Sequence, residues 1–252
     1  MLTLKRQNEI VEYLKLHKSA TVTELSKTFF ISAASIRRDL EKLEKQNVIK
    51  RTYGGAVLLE GLSNEIPITI REHEFSDAKN RIAQLAASLV KDNDIIIIDS
   101  STTSFRMIHH LKGKSNLTIV TNGLRTASEA GAVLHSKVYC CGGRLRENSL
   151  SLVGDQAKRF IKSYGVQKLF FSCRALSMDV GAMDASDEEA ELRKIMIECS
   201  DQAFLLCDSS KYDKKSFYHI CDFSAIDSLI TETQPTDALM ALCRQNGVNV
   251  IC

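Results

Sequence analysis

Proline is nearly absent from this 252-residue chain (2 residues) and glycine is sparse (12), which excludes collagen-like, low-complexity and long disordered tracts. No apolar run approaches the roughly 20 residues that a membrane span requires. The opening MLTLKRQNEI lacks the apolar segment of a signal peptide, so the cytoplasm is the expected compartment and no membrane is expected as a partner. Cysteine is not scarce, with 8 residues, but none falls in a C-x-x-C pair and zinc-ligand spacing is missing. Cysteines inside runs such as VYCC and AFLLCD read as small buried hydrophobes of a reducing compartment. The 6 histidines show no metal-ligand spacing, so neither a metal nor a resident cofactor is expected. What is present, 44% apolar and 25% charged residues, is an ordinary globular composition, enough for two cores or one large one.

The net charge of +2 hides an asymmetry. Residues 1–55 carry 11 lysines and arginines against 6 acids, a net +5, so the remaining body nets −3. A basic head on a mildly acidic body suggests a polyanion-binding module joined to a body with another job.

The head has helical periodicity. Leu4, Ile10, Val11 and Leu14 predict a first helix over 3–16. Thr21 caps a short second helix through Glu24 to Lys27, and Phe30-Ile31-Ser32 makes a tight connection. Ser32 caps a third helix from Ala33 to about Gln46, with Ile36, Leu40 and Leu43 on its apolar face. Three short helices with a brief turn between the second and third follow the helix-turn-helix plan. Two β-prone runs, 48–53 and 56–59, flank Gly54-Gly55 and predict a hairpin, the wing of a winged helix.

The third helix carries the chemistry. Ser32, Ala33, Ala34 and Ser35 are small, which lets a helix N-terminus enter the major groove and touch base edges. Arg37 and Arg38 point about 100° apart, so one faces a base while the other grips phosphate. Asp39 is positioned to pair with a neighbouring base and fix its rotamer. Lys42, Lys45, Lys50 and Arg51 extend the phosphate contacts, with Thr21 and Tyr53 completing the expected DNA-contacting set. The pattern S-x-R-R-D-L-x-x-L (Ser35, Arg37, Arg38, Asp39, Leu40, Leu43), followed by a Gly-Gly hairpin, resembles the DNA-binding domain of the DeoR family of bacterial sugar-catabolism regulators.

Residues 61–67 break the periodicity. The expected organisation is therefore a DNA-binding domain over 1–60, a linker over 61–76 and an α/β body over 77–252. In the body, helices over 77–90, 103–111 and 123–134 alternate with strands 95–98, 117–120 and 137–140. Further strands are expected at 169–171, 203–206, 229–230 and 248–250. Continuous apolar strands between amphipathic helices mean a mostly parallel sheet covered on both faces.

Ligands of such sheets bind beyond the strand carboxyl ends. Those ends carry Asp99-Ser100-Ser101-Thr102-Thr103, Thr121-Asn122, Gly142-Gly143 and Asp208-Ser209-Ser210-Lys211. Hydroxyls with free backbone N–H groups suit a phosphate. A carboxylate beside a cation suits sugar hydroxyls and phosphate, and Gly142-Gly143 would let the backbone approach a ligand. Glu188-Glu189-Ala190-Glu191 reads as the solvated, acidic start of a helix.

The body is also similar to the DeoR-type sensor domain over nearly its whole length. The family's D-S-G-T-T stands as Asp99 to Thr103 with Ser101 for the usual Gly, V-T-N as Val120-Thr121-Asn122, G-G as Gly142-Gly143 and S-x-x-G as Ser151 and Gly154. D-S-S-K is Asp208 to Lys211, and I-T-[DE] is Ile230-Thr231-Glu232. Ser172-Cys173-Arg174-Ala175 departs from the family's small Gly-containing loop and adds Arg174 as a ligand candidate. The resemblance implies a fold related to ribose-5-phosphate isomerase, working as a receptor for a phosphorylated sugar. The F-S-C stretch resembles members that respond to deoxyhexose metabolites. The implied protein is a homo-oligomeric repressor, dimer or tetramer, of operator DNA controlled by that effector. Two alternatives stay open: a sugar-phosphate isomerase with a DNA-binding appendage, whose base would be Asp99, Asp184, Asp187 or Glu188, and a body that only oligomerises.

Overall fold

The computed structural model describes residues 3–46, 48–59 and 66–252. The chain divides into two compact units, Met1–Glu74 and Phe75–Cys252. Part of the expected linker, residues 61–65, lies outside the described residues. Ile68–Arg71 of that linker form a short helix that opens at Pro67, where fixed φ suits a helix start.

The first unit builds α1 (Thr3–His17), β1 (Ser19–Thr21), α2 (Val22–Phe29), α3 (Ala33–Lys45), β2 (Ile49–Thr52), β3 (Gly55–Leu58) and α4 (Ile68–Arg71). The Thr21 hydroxyl accepts from Glu24 N–H while the Glu24 carboxylate accepts from Thr21 N–H, a reciprocal cap that fixes where α2 begins. Ser32 caps α3 by accepting from Ser35 N–H. Ile10, Val11 and Leu14 of α1 meet Leu25, Ile36, Leu40 and Leu43 in one buried core. Burying each such side chain contributes roughly 1.5–3 kcal/mol. The wing pairs Ile49 with Leu58 and Thr52 with Gly55, leaving Tyr53-Gly54 as the turn. Gly54 has φ +94°, which only glycine adopts without strain. Strand β1, which the sequence reading lacks, adds to the wing through Thr21 opposite Gly55. A Cβ on Gly55 would sit 2.3 Å from the Ala20 carbonyl oxygen, so glycine is required for this third strand to approach.

The second unit continues with α5 (Ser76–Ser88), β4 (Ile95–Ile98), α6 (Thr102–Phe105), α7 (Met107–His110), β5 (Thr118–Thr121), α8 (Leu124–Val133) and β6 (Lys137–Cys140). Then come β7 (Arg144–Arg146), β8 (Ser151–Val153), α9 (Asp155–Lys162), β9 (Val166–Phe171), β10 (Ala175–Ser177), β11 (Gly181–Asp184) and α10 (Asp187–Glu198). The chain ends with β12 (Ser200–Leu206), β13 (Tyr218–Cys221), β14 (Ser228–Ile230), α11 (Asp237–Gln245) and β15 (Asn249–Ile251). Seven strands form one sheet in the order β15-β14-β12-β9-β4-β5-β6, and every neighbouring pair is parallel.

Strand alternation divides the core. Ile96, Ile98, Phe170, Phe204 and Leu206 face α5, α7 and α8. Ile97, Leu169, Phe171 and Leu205 face α9, α10 and α11. The chain runs from β4 outward to β6, then returns beside β4 at β9 and runs outward the other way. The reversal between β4 and β9 is the place where such sheets open a ligand crevice. An antiparallel sheet of β10, β11 and β13 and a β7–β8 hairpin complete the unit; the sequence reading, tuned to apolar runs, contains neither. Among the described residues no helix is long and apolar enough to cross a membrane, and no cluster of His, Cys, Asp and Glu suits a metal ion.

Candidate DNA-binding face and candidate effector site

On α3 the buried face is Ile36, Asp39, Leu40 and Leu43, which leaves Arg37, Arg38, Glu41 and Lys42 exposed. Asp39 therefore does not face a nucleic acid, as the sequence reading had it. Its carboxylate is 1% exposed and turns into the domain, where it binds Arg6 Nε and Nη2 (the latter at 3.1 Å) and Gln7 Nε2 at 3.2 Å. The reason is helical spacing: Asp39 lies three residues after Ile36, on the stripe that meets α1. It is a fork-to-fork tie that sets α3 against α1. Burial lowers and the Asp39 hydrogen bond raises the Arg6 pKa; the hydrogen bond dominates and the guanidinium is held above its ordinary value. A polar cavity of about 350 Å³ opens beside this tie, lined by Arg6, Ser35, Arg38 and Lys42 among others.

The remaining expected DNA contacts are placed as follows. Ala34 is exposed and Ala33 and Ser35 are half-buried at the start of α3, whose cap Ser32 is exposed. Thr21 is exposed but spends its hydroxyl on the α2 cap. Arg51 pairs with Glu44 across the α3–wing junction. Tyr53 stands fully in solvent at the tip of the wing.

In the second unit, Asp99, Ser100, Ser101, Thr102 and Thr103 are all buried at the carboxyl end of β4. The Asp99 carboxylate accepts from Ser101 N–H (3.0 Å), Ser172 N–H (3.2 Å) and Arg193 Nε (2.9 Å). It clamps the ends of β4 and β9 together. Ser101 caps α6 by accepting from Ser104 N–H at 3.1 Å. The side chain that replaces the family's glycine thus does local work. Asn122 accepts from Ser100 N–H at 3.0 Å, and Thr121 accepts from Gly123 N–H at 3.0 Å. Gly143, with φ +134°, meets a different demand from a ligand: a Cβ there would lie 2.4 Å from the Val153 carbonyl oxygen across the β7–β8 hairpin. Nothing lies within 4 Å of a Cβ built on Gly142. Arg174 is half-buried and its N–H donates to the Met183 carbonyl.

At the end of β12, Lys211 donates to Ser172 Oγ at 3.0 Å and pairs with Asp208 Oδ2 at 3.3 Å. Asp208 Oδ1 accepts from Ser210 Oγ, whereas Oδ2 has no aligned hydrogen-bond donor beyond that ion pair. Burial works against the Asp208 charge, but Lys211, the Ser210 hydroxyl and Lys79 hold the carboxyl below the usual range. Burial likewise opposes the Lys211 charge, and Asp208 overcomes it, so the ammonium sits above its ordinary pKa. The buried Thr103 hydroxyl has no hydrogen-bond partner among the described residues. Beneath Lys211 the Cys173 and Cys207 sulfurs lie 3.9 Å apart. The Cys173 thiol is pulled below its usual pKa by the Cys207 contact and Lys211, and burial pushes Cys207 above its own.

Arg193 is the residue the sequence reading missed. Its guanidinium is buried and reaches Asp99 (2.9 Å), Asp184 Oδ2 (2.8 Å) and Glu189 Oε2 (3.5 Å). Glu189, expected on a solvated helix start, is instead 3% exposed. It also binds Arg146 Nη1 at 3.2 Å, Ser151 Oγ and Ser100 Oγ. Its charge suggested water, and the i, i+4 spacing to Arg193 behind the Ser186 cap is equally that of a solvated pair, so no local signal marked it as buried. Burial opposes the Arg193 charge, yet the three carboxylates keep the guanidinium protonated well above its ordinary pKa.

A winged helix with an outward arginine pair and a parallel α/β unit with buried ion pairs at its strand-order reversal define a class: DNA-binding regulators with a small-molecule sensor. Residues 6–61 match the DeoR-like helix-turn-helix domain and residues 74–233 match the DeoR C terminal sensor domain. The chain belongs to the DeoR family of transcriptional regulators. It is 40% identical over 233 residues to the HTH-type transcriptional regulator YulB of Bacillus subtilis (strain 168), covering 92% of this chain and 90% of that one. It is 33% identical over 242 residues to the HTH-type transcriptional repressor GlcR of the same organism, covering 96% and 93%. Among solved structures, ribose 5-phosphate isomerase A of Methanocaldococcus jannaschii aligns at 15% identity and a TM-score of 0.41, over 54% of each chain.

Proposed function

We propose that this regulator represses a carbohydrate-catabolism operon in the cytoplasm, binding operator duplex through α3 and the wing and answering to a phosphorylated sugar held at the strand ends of the second unit. The observation that carries the DNA reading is the outward Arg37-Arg38 pair on a helix whose inner face is pinned by Asp39. Arginine's planar donor fork suits guanine edges and phosphates. One winged helix covers a half-site, so the working form is a homo-oligomer, dimer or tetramer.

For the effector, Lys211 and Ser172 supply cation and hydroxyl at the β9 and β12 ends, and Thr103 offers an unused hydroxyl at β4. Thr121, Asn122, Ser100 and Asp208 line the same ends, and Arg174 stands after β9. The effector changes operator affinity only by favouring one conformation or assembly over another. A binding role rather than catalysis is supported by the candidate bases themselves: Asp99 and Asp184 are tied to Arg193 and Glu188 to Arg144, so three of the four are engaged in ion pairs rather than poised over a substrate carbon.

Arg37→Ala and Arg38→Ala test the assignment against duplexes selected by the wild-type chain from a randomised pool. A lost phosphate contact flattens the salt slope by about one unit and a lost base contact relaxes sequence preference. Wild-type binding by both variants would refute the reading. Turnover of pentose or hexose phosphates would favour an enzyme instead.

A further inference from the structure

Phe30 occupies the turn between α2 and α3 with φ 55° and ψ 44° and is 94% exposed. Its two neighbours turn inward: Phe29 packs edge-on against Tyr13 at 6.0 Å and Ile31 lies against the domain core. A single exposed apolar residue is ordinary on a protein surface. A bulky aromatic in left-handed backbone is not, because glycine or asparagine adopts that conformation with less strain. The turn's own hydrogen bonds use backbone groups and Ser26, not the Phe30 ring: Phe30 and Ile31 N–H donate to the Ser26 carbonyl, and Ser26 Oγ donates to the Ile31 carbonyl. The fold thus carries a strained, water-exposed ring that its local structure does not need.

The ring's place indicates what it meets. It stands two residues before Ser32, the cap of the helix whose N-terminal residues Ala33 and Ala34 are small enough to enter the major groove. We propose that Phe30 is an apolar DNA-contacting residue, resting on the sugar edge and thymine methyl groups at the rim of the groove that α3 enters. This rests on the DNA-reading assignment of α3. The contact is uncharged and adds to the arginines without adding counterion release.

The test uses the full chain with Phe30→Gly, Phe30→Asn and Phe30→Tyr, and a duplex selected from a randomised pool by the wild-type chain. The Gly and Asn variants are expected to melt at or above the wild-type temperature, to bind that duplex roughly tenfold more weakly, and to keep the wild-type salt slope. The Tyr variant retains the ring and should bind as wild type does. Wild-type affinity in both the Gly and Asn variants overturns the proposal. A melting temperature that falls together with affinity overturns it too, since the ring would then be structural. A change in assembly mass by sedimentation without a change in duplex affinity would assign the ring to a second copy, which also overturns it. Arg37→Ala serves as the control: if it and Phe30→Gly both bind normally, the α3 assignment has failed, whereas failure of Phe30 alone leaves that assignment standing.

Discussion

Arg193→Met removes the cation that joins three carboxylates of the sensor unit while keeping most of the side-chain volume. In the native chain, the Arg193 side chain is 7% exposed and pairs with Asp99, Asp184 and Glu189, whose side chains are 1%, 16% and 4% exposed. Each carboxylate has other donors: Ser101 and Ser172 N–H for Asp99, Ala185 and Ser186 N–H for Asp184, and Ser100, Ser151 and Arg146 for Glu189. They would not be stripped of hydrogen bonds, but they would be like charges crowded in a buried space. Breaking a buried pair by deleting one partner costs about 3–5 kcal/mol. A unit of this length loses about 2–4 °C per kcal/mol, so melting should fall by roughly 6–20 °C at neutral pH. Calorimetric melting of the full chain at neutral pH, against wild type, measures the effect. A variant that melts within about 2 °C of wild type would refute the view that Arg193 holds these carboxylates together.

Further outcomes are expected. Asp39→Asn should destabilise the winged helix by about 1.5–3 kcal/mol, the range for a hydrogen bond to a charged group, because Arg6 loses its partner; circular-dichroism melting tests this, and a neutral result would make the α1–α3 tie dispensable. Gly55→Ala forces a Cβ to within 2.3 Å of the Ala20 carbonyl oxygen and should cost about 2 kcal/mol through loss of β1 from the wing, visible as lost amide protection at Val22 and Leu58, whose N–H groups donate to the Gly54 and Lys18 carbonyls. Lys211→Ala and Thr103→Ala should abolish the response to sugar phosphate and leave duplex binding intact; release of DNA at the wild-type ligand concentration in both would place the effector elsewhere. The native Asp208 carboxyl lies below its unfolded pKa, so its stabilisation is present above about pH 4 and is lost as pH falls through the folded value; Asp208→Asn should flatten that part of the acid limb of the melting curve.

Periodicity and caps made the first unit legible. The Thr21 and Ser32 caps and the apolar stripe of α3 are local signals, and each stands within one turn of the element it fixes. The Ile95–Ile98 run and its counterparts likewise marked the central strands, because a strand covered on both faces is apolar throughout. The antiparallel sheet of β10, β11 and β13 was not legible, since its strands are three or four residues long and β13 joins the β10–β11 hairpin from much further along the chain. Glu189 and Asp39 show the same limit for single side chains. Each is an acid on a helix, and its sequence context reads as solvent- or DNA-facing; each is buried because a cation from another element reaches it.

A basic, capped recognition helix ahead of a parallel α/β body with polar strand ends follows from local chemistry, since caps, periodicity and residue type act over a few neighbouring positions. Which of those polar groups are committed to partners within the protein depends on contacts between elements distant in sequence. Arg193 and Asp99 are 94 residues apart, and only the reversal of strand order between β4 and β9, with α10 packed beside it, brings the guanidinium to the carboxylate.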